Sequence, residues 1–338
     1  MKRILANENT VRLMILLTLV VLFGILTDGA STSLSNLTNV LVQSAIRGIA
    51  ACGQALVIMS AGLDLAVSGI VSVSLMLGAG LVTANPELNL LGYQLPVVVV
   101  FPVMLLVAAA FGLLNGVLVA GLRIPALLAT LGVWQISEGL AYKLTGKGYV
   151  DGISESIGAI ATTDVLFLPL PVVILFLVVA ATHVVLGHTT FGRELYAVGG
   201  NDRSAVISGV RVSWIRCSVY GIAGLLYGIC AILSLAHYQG ATMAQASGLE
   251  LETIAAVAIG GVSLSGGKGT IVGVILGVLI VSVIGNALNI LGAGPTYQNV
   301  VKGGLLILVV ALDTAVARRL VLQMLGFFAG RRAQQDQR

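Results

Sequence analysis

Long apolar runs, broken at short intervals by Gly, Pro and charged residues, dominate the chain. They fall at about 11–27, 40–60, 66–84, 97–120, 124–143, 165–186, 213–236, 252–264, 270–291 and 300–317. Most are close to the ~20 residues a helix needs to cross the hydrocarbon core of a bilayer. The pattern predicts an all-α, polytopic membrane protein with about ten transmembrane helices. Three segments depart from the norm. The run 40–60 contains Arg47, 124–143 contains Glu138, and 252–264 is short. The first run has a basic head, Lys2 and Arg3. It is long and followed by many more, so it reads as an uncleaved helix in place of a signal peptide.

Composition sharpens this picture. Only 9% of the 338 residues are charged, against roughly 25% in soluble domains. The 42 glycines suit helices that pack closely in lipid, where no hydrophobic force drives them together. Two small-xxx-small pairs, Gly224 with Gly228 and Gly273 with Gly277, mark such faces. No linker or low-complexity stretch divides the chain, so residues 1–338 read as a single membrane domain.

Charge then sets the topology. With the N-terminus in the cytoplasm and the runs alternating, the inner side receives all of the 18 Lys and Arg residues except Arg47, Lys143, Lys147 and Lys302. That asymmetry follows the positive-inside rule. Asp28, Glu87, Asp151, Glu155, Asp164, Glu250 and Glu252 fall outside. An even number of spans places both termini in the cytoplasm. The net charge of +4 is thereby a matter of topology, with no nucleic-acid partner implied. The basic tail containing Arg331 and Arg332 reads as an anchor at the lipid headgroups.

One stretch breaks the apolar pattern on the inner side: "FGRELYAVGGNDRSAVISGVRV", residues 191–212. Gly199-Gly200 permits a turn that side chains would forbid. Asn201 is a good N-cap, and Asp202 adds negative charge where the helix dipole favours it. Gly209 then sits where a left-handed residue ends the helix. A short helix capped at both ends is therefore expected here, with Arg203, Val206 and Ile207 facing outward or sideways. It is either a docking element or an ordinary interfacial helix.

Other features exclude chemistry. "GGVSLSGGKGT", residues 260–270, fails as a P-loop, because Val262 and Gly269 stand where a Gly and a Ser or Thr are required. It reads as a tight turn between helices. His183, His188 and His237 have no partner at metal-ligand spacing. Cys52, Cys217 and Cys230 lie in apolar runs and form no disulfide framework. No catalytic residue, metal or cofactor is expected in this chain, and any ATP used is hydrolysed by another. Polar groups at membrane depth are costly and so become candidates for function: Asp64, Asn115, Glu138, Asn286 and Asn289. They either line a solute path or brace the helices around it. So few intramembrane charges suit a neutral polar solute moved by an outside energy source.

Several motifs, in order across about residues 40–313, resemble the ribose-type ABC importer permeases. They are "GLDLAVSG", "LNGVLVAGLRIPALLATLGVWQISEGLAY", the 191–212 stretch, "GLELETIAAVAIGGVSLSGGKGTIVGVILG" and "GNALNILGAGPTYQNVVKGGLLILVVALD". The broader fold is shared with branched-chain amino-acid permeases, but "YAVGGN" and "SLSGGKGT" look closer to the sugar branch. The resemblance implies a permease subunit in the bacterial inner membrane, paired with a second copy or a paralogue. ABC ATPase subunits holding ATP and Mg would bind inside, and a periplasmic solute-binding protein would deliver a monosaccharide or similar small polar solute outside. It also implies that the loop at about 187–212 is the coupling element, with Arg193, Tyr196, Gly199, Gly200, Asn201, Asp202, Arg203, Val206, Ile207, Ser208 and Gly209 contacting or shaping it. The competing reading is a secondary carrier or channel that needs no ATPase. A furanose of the autoinducer-2 kind or a polyol is the competing solute.

Overall fold

The structure, a computed structural model, describes residues 8–313. The N-terminal Lys2 and Arg3 and the basic tail from Arg318 onward lie outside the described residues. Thirteen α-helices follow one another: α1 (Glu8–Leu26), α2 (Leu34–Met59), α3 (Val67–Val82), α4 (Val97–Gly116), α5 (Ala126–Thr145), α6 (Glu155–Thr162), α7 (Leu170–His188), α8 (Thr190–Gly200), α9 (Asp202–Ile207), α10 (Val212–Tyr238), α11 (Leu249–Ile259), α12 (Ile271–Ile290) and α13 (Pro295–Asp313). Each of the ten expected runs contains a helix.

Among the described residues, six helices are long and apolar enough to cross a bilayer: α1, α2, α4 with its π-helical extension to Gly121, α7, α10 and α12. Three of the other helices, α3, α11 and α5, fall short for separate reasons. At 1.5 Å per residue, the 16 residues of α3 and the 11 of α11 reach roughly 24 and 17 Å, less than a hydrocarbon core of about 30 Å. Gln135, Glu138 and Lys143 make α5 too polar.

The helices α2 and α10 form the centre, each 83% buried along its most apolar stretch, whereas α1 buries none of its own and stands at the rim. Small residues set the spacing. A Cβ on Gly224 would stand 2.5 Å from the Ala108 carbonyl oxygen and 3.0 Å from Gly112 Cα, so α10 and α4 touch backbone to backbone. Gly273 and Gly277 of α12 meet the carbonyls of Gly260 and Ala256 at the end of α11 in the same way. Both small-xxx-small pairs thus sit in helix contacts. Cys52, Cys217 and Cys230 are free thiols.

The loops gather at two opposite ends. At one, residues 60–66, 199–211 and 260–270 converge. At the other, strand β1 (Tyr149–Val150) pairs antiparallel with β4 (Ala241–Thr242), and β2 (Asp164–Val165) pairs with β3 (Leu168–Pro169). There Lys147 meets Glu87 at 2.7 Å, and that ammonium holds the exposed Glu87 carboxyl below its ordinary range.

Candidate functional site

The polar insert folds as two helices. Thr189 caps α8, its hydroxyl accepting the Gly192 N–H at 3.2 Å. Asn201 caps α9 through the Ser204 N–H at 2.9 Å, and Gly209 closes it at φ +82°. The capped helix expected from the sequence is therefore present. Val206 and Ile207 are 60% and 86% exposed, and Arg193 and Arg203 are exposed too. Asp202 gains a partner the sequence did not suggest: Arg216 of α10, at 2.8 Å.

Gly199 and Gly200 need correction. They form no turn but the last residues of α8. Their smallness serves a close approach. A Cβ on Gly199 would overlap the Met59 carbonyl oxygen at the end of α2 and stand 2.6 Å from the Gly267 nitrogen. The turn 260–270 completes the seam. The Gly267 N–H donates to the Met59 carbonyl at 2.9 Å, and the Tyr196 hydroxyl donates to the Gly269 carbonyl at 2.9 Å. Partial burial pushes the Tyr196 phenol up. Gly266 and Gly267 hold positive φ, +85° and +73°, a conformation glycine adopts at little cost. The glycine-rich turn that fails as a nucleotide motif is thus the bed on which α8 ends.

Toward the opposite end, a cavity of about 330 Å³ opens among α2, α3, α10, α11 and α13. Gln43, Ser234, Tyr238, Thr242, Gln245 and Ser247 give it a polar lining, and Val71 and Leu75 an apolar side. Arg47, Glu252 and Lys302 also line it. Glu252, with its side chain only 8% exposed, bridges the two cations, Oε1 to Arg47 at 3.0 Å and Oε2 to Lys302 at 2.9 Å. Glu252 and Lys302, placed on the outer side by the charge count, meet at the cavity wall. The lone charge in the run 40–60 was the one sequence signal for this site. Nothing in the spacing of residues 47, 252 and 302 could reveal that they meet.

None of the five polar candidates lines this cavity. Asp64 and Asn115 come together, both fully buried. Asp64 Oδ1 accepts the Ala66 N–H at 2.8 Å and the Asn115 amide at 3.3 Å, so it holds the start of α3 against α4. Asn286 exchanges two amide hydrogen bonds with Asn36 of α2, at 2.8 and 2.9 Å. Asn289 accepts from Gln298 of α13 at 2.6 Å. Although three apart, the two asparagines brace different neighbours. Glu138 is half-buried on α5, away from the others. Four of the five thus hydrogen-bond to neighbouring segments of the bundle.

The sequence matches the family described as "Branched-chain amino acid transport system / permease component" over residues 36–310. It is 35% identical over 305 residues to the ribose import permease protein RbsC of Escherichia coli strain K12, across 89% of this chain and 92% of that protein. Bacillus subtilis strain 168 RbsC is 34% identical over 285 residues, covering 82% and 84%. The galactose/methyl galactoside import permease protein MglC of Salmonella typhimurium strain LT2 is 33% identical over 297 residues, covering 85% and 88%. No solved structure matches. Matched from residue 36 to residue 310 and over most of each relative's length, the chain belongs to this family of transport-system permease components.

Proposed function

We propose that this chain forms the membrane pathway of an ATP-driven importer for a monosaccharide or similar small polar solute. The observation that carries the reading is the seam at Gly199. The exposed, doubly capped α9 continues from a helix pressed onto the end of α2, and α2 also lines the polar cavity. A protein pushing on α9 from outside would move a wall of that cavity. At about 330 Å³ the space is near the lower end of small-ligand pockets, roughly 300–1,000 Å³, and its hydroxyl and amide lining suits a polyhydroxylated solute. The ribose and galactose import permeases among its relatives support that class.

The fuller reading places about ten segments in a bacterial inner membrane, with both termini and α9 on the cytoplasmic side. A separate ABC ATPase binds ATP and Mg and seats on α9, with Arg193, Arg203, Val206 and Ile207 as contacts. A periplasmic binding protein delivers solute at the opposite end, and a second permease copy or paralogue completes the pathway.

The test is affinity purification of the tagged chain from native membranes in mild detergent, followed by assay of the eluate for ATPase. The wild-type chain brings down an ATPase. The Val206→Asp, Ile207→Asp double variant inserts normally and loses it, because both side chains are exposed and fold nothing. Undiminished ATPase recovery with that variant overturns the docking assignment. Unaided solute flux through the purified chain in liposomes overturns the importer.

A further inference from the structure

The charges around the cavity do not balance. Arg47 and Lys302 are both cationic, and Glu252 is the single carboxylate that meets them. Among the described residues no other acid lines the space, and Glu250, its near neighbour in sequence, is not part of the lining. The described lining residues therefore carry one net positive charge. Charged groups at membrane depth are expensive to keep and are retained where they are used. One cation would have sufficed to pair Glu252.

The geometry leaves donors over. A guanidinium carries five N–H groups and an ammonium three, and Glu252 takes one close contact from each. The side chains of Arg47 and Lys302 are 29% and 25% exposed, against 8% for Glu252. All three line the cavity, and the two cations are more accessible there than the carboxylate. Beside them stand the hydroxyls of Ser234, Tyr238 and Thr242.

We propose that the cavity takes a polyhydroxylated solute carrying one anionic group, the sugar-acid class of aldonates and uronates. Arg47 and Lys302 receive the carboxylate, and the hydroxyl and amide lining receives the sugar hydroxyls. This rests on the reading of the cavity as the solute's pathway and names what passes through it. A carboxylate held by Arg47 would complete the charge balance that Glu252 begins. Charge-assisted hydrogen bonds of this kind are shorter and stronger than neutral ones, and a guanidinium can engage a carboxylate through two parallel bonds. Arg47 is the specificity-determining residue on this account.

The experiment measures permease-dependent uptake by cells carrying the complete importer, using radiolabelled gluconate, glucuronate, ribose, galactose and xylitol. Gluconate or glucuronate should enter at least about tenfold faster than the neutral compounds at equal concentration. Arg47→Gln should cut that uptake by about tenfold, whereas Arg47→Lys, which keeps the charge, should stay within about threefold of wild type. Lys302 still pairs Glu252 in both variants. Ser234→Phe, which fills the cavity, should stop all uptake. If neutral sugars enter, sugar acids do not, and Ser234→Phe still blocks, the charge proposal fails and the cavity reading stands. If Ser234→Phe transports normally, both fail together. A panel in which no sugar acid enters in a permease-dependent way also overturns the proposal.

Discussion

Two adjacent glycines offer a sharp contrast. In Gly199→Ala the new methyl group would overlap the Met59 carbonyl oxygen and crowd the Gly267 nitrogen, both of them backbone atoms that no rotamer change can move. In Gly200→Ala nothing lies within 4 Å of the new Cβ. The end of α8 must therefore lift from α2 in the first variant and need not move in the second. Overpacking of this kind costs about 1–3 kcal/mol. If the Gly267-to-Met59 hydrogen bond is lost as well, about 0.5–1.5 kcal/mol is added. Gly200→Ala lies at a helix end and should be neutral, or stabilising by up to ~1 kcal/mol through helix propensity. The assay is the ratio of solute transported to ATP hydrolysed in proteoliposomes containing the whole importer. Gly199→Ala should lower that ratio several-fold while the ATPase still binds, because α9 and its exposed side chains survive. Gly200→Ala should match wild type. Equal behaviour of the two variants, or a normal ratio in Gly199→Ala, would refute the seam as the transmission point.

Two further outcomes test the bracing residues. Asp64→Ala leaves the Ala66 N–H and the Asn115 amide without their acceptor in a fully buried site. It should lower stability in detergent by about 1–3 kcal/mol, read as a fall in unfolding midpoint, and a solute-path role confined to transport would show no such fall. Asn36→Ala and Asn286→Ala break one reciprocal pair, so the double variant should cost less than the sum of the singles. The coupling should be of the order of 0.6–1.7 kcal/mol typical of polar contacts between membrane helices, and strict additivity would show that the amide pair contributes nothing.

What the sequence disclosed and what it hid divide along physical lines. Local order was legible. Asn201, Asp202 and Gly209 cap α9 through atoms a few residues apart, so their pattern in the chain already specified the helix. Apolar runs located ten helices for the same reason. Long-range contact was not legible. Gly199 looked like a turn former because glycine is permissive, but its use here is to admit a carbonyl from α2, 140 positions away in the chain. Asn286 and Asn289 looked like a pair because they are three apart on one helix, yet each answers to a different neighbour. Counting charge for topology assigned Glu252 and Lys302 to the outer side, but that rule knows loops and spans and says nothing of which helices bring the two together at one cavity. Of the two charges that stood out inside apolar runs, Arg47 lines the cavity and Glu138 does not, so such a charge by itself did not locate the site.

These long-range contacts join the two sites by two routes, both ending in the same glycines. One runs along α2. Met59 touches Gly199 and Gly267, and Arg47 is 12 residues earlier on the same unbroken helix, a separation of roughly 18 Å along its axis. The other runs through the 260–270 turn into α11, whose last carbonyl, Ile259, accepts from Arg12 of α1 at 3.1 Å. Glu252 lies two turns back along α11. The Arg47–Glu252 pair thus closes a loop whose other side is the Met59–Gly267 hydrogen bond. On the proposed reading, a displacement of α8 strains both arms of that loop together. The seam would yield by shifting the end of α2 relative to the turn, and the same shift would alter the distance between Arg47 and Glu252 at the cavity. An ion pair at 3.0 Å in a low-dielectric site is sensitive to changes of an ångström or so. A small movement at α9 would then change how firmly the cavity holds an anionic solute, with no lid or large hinge required.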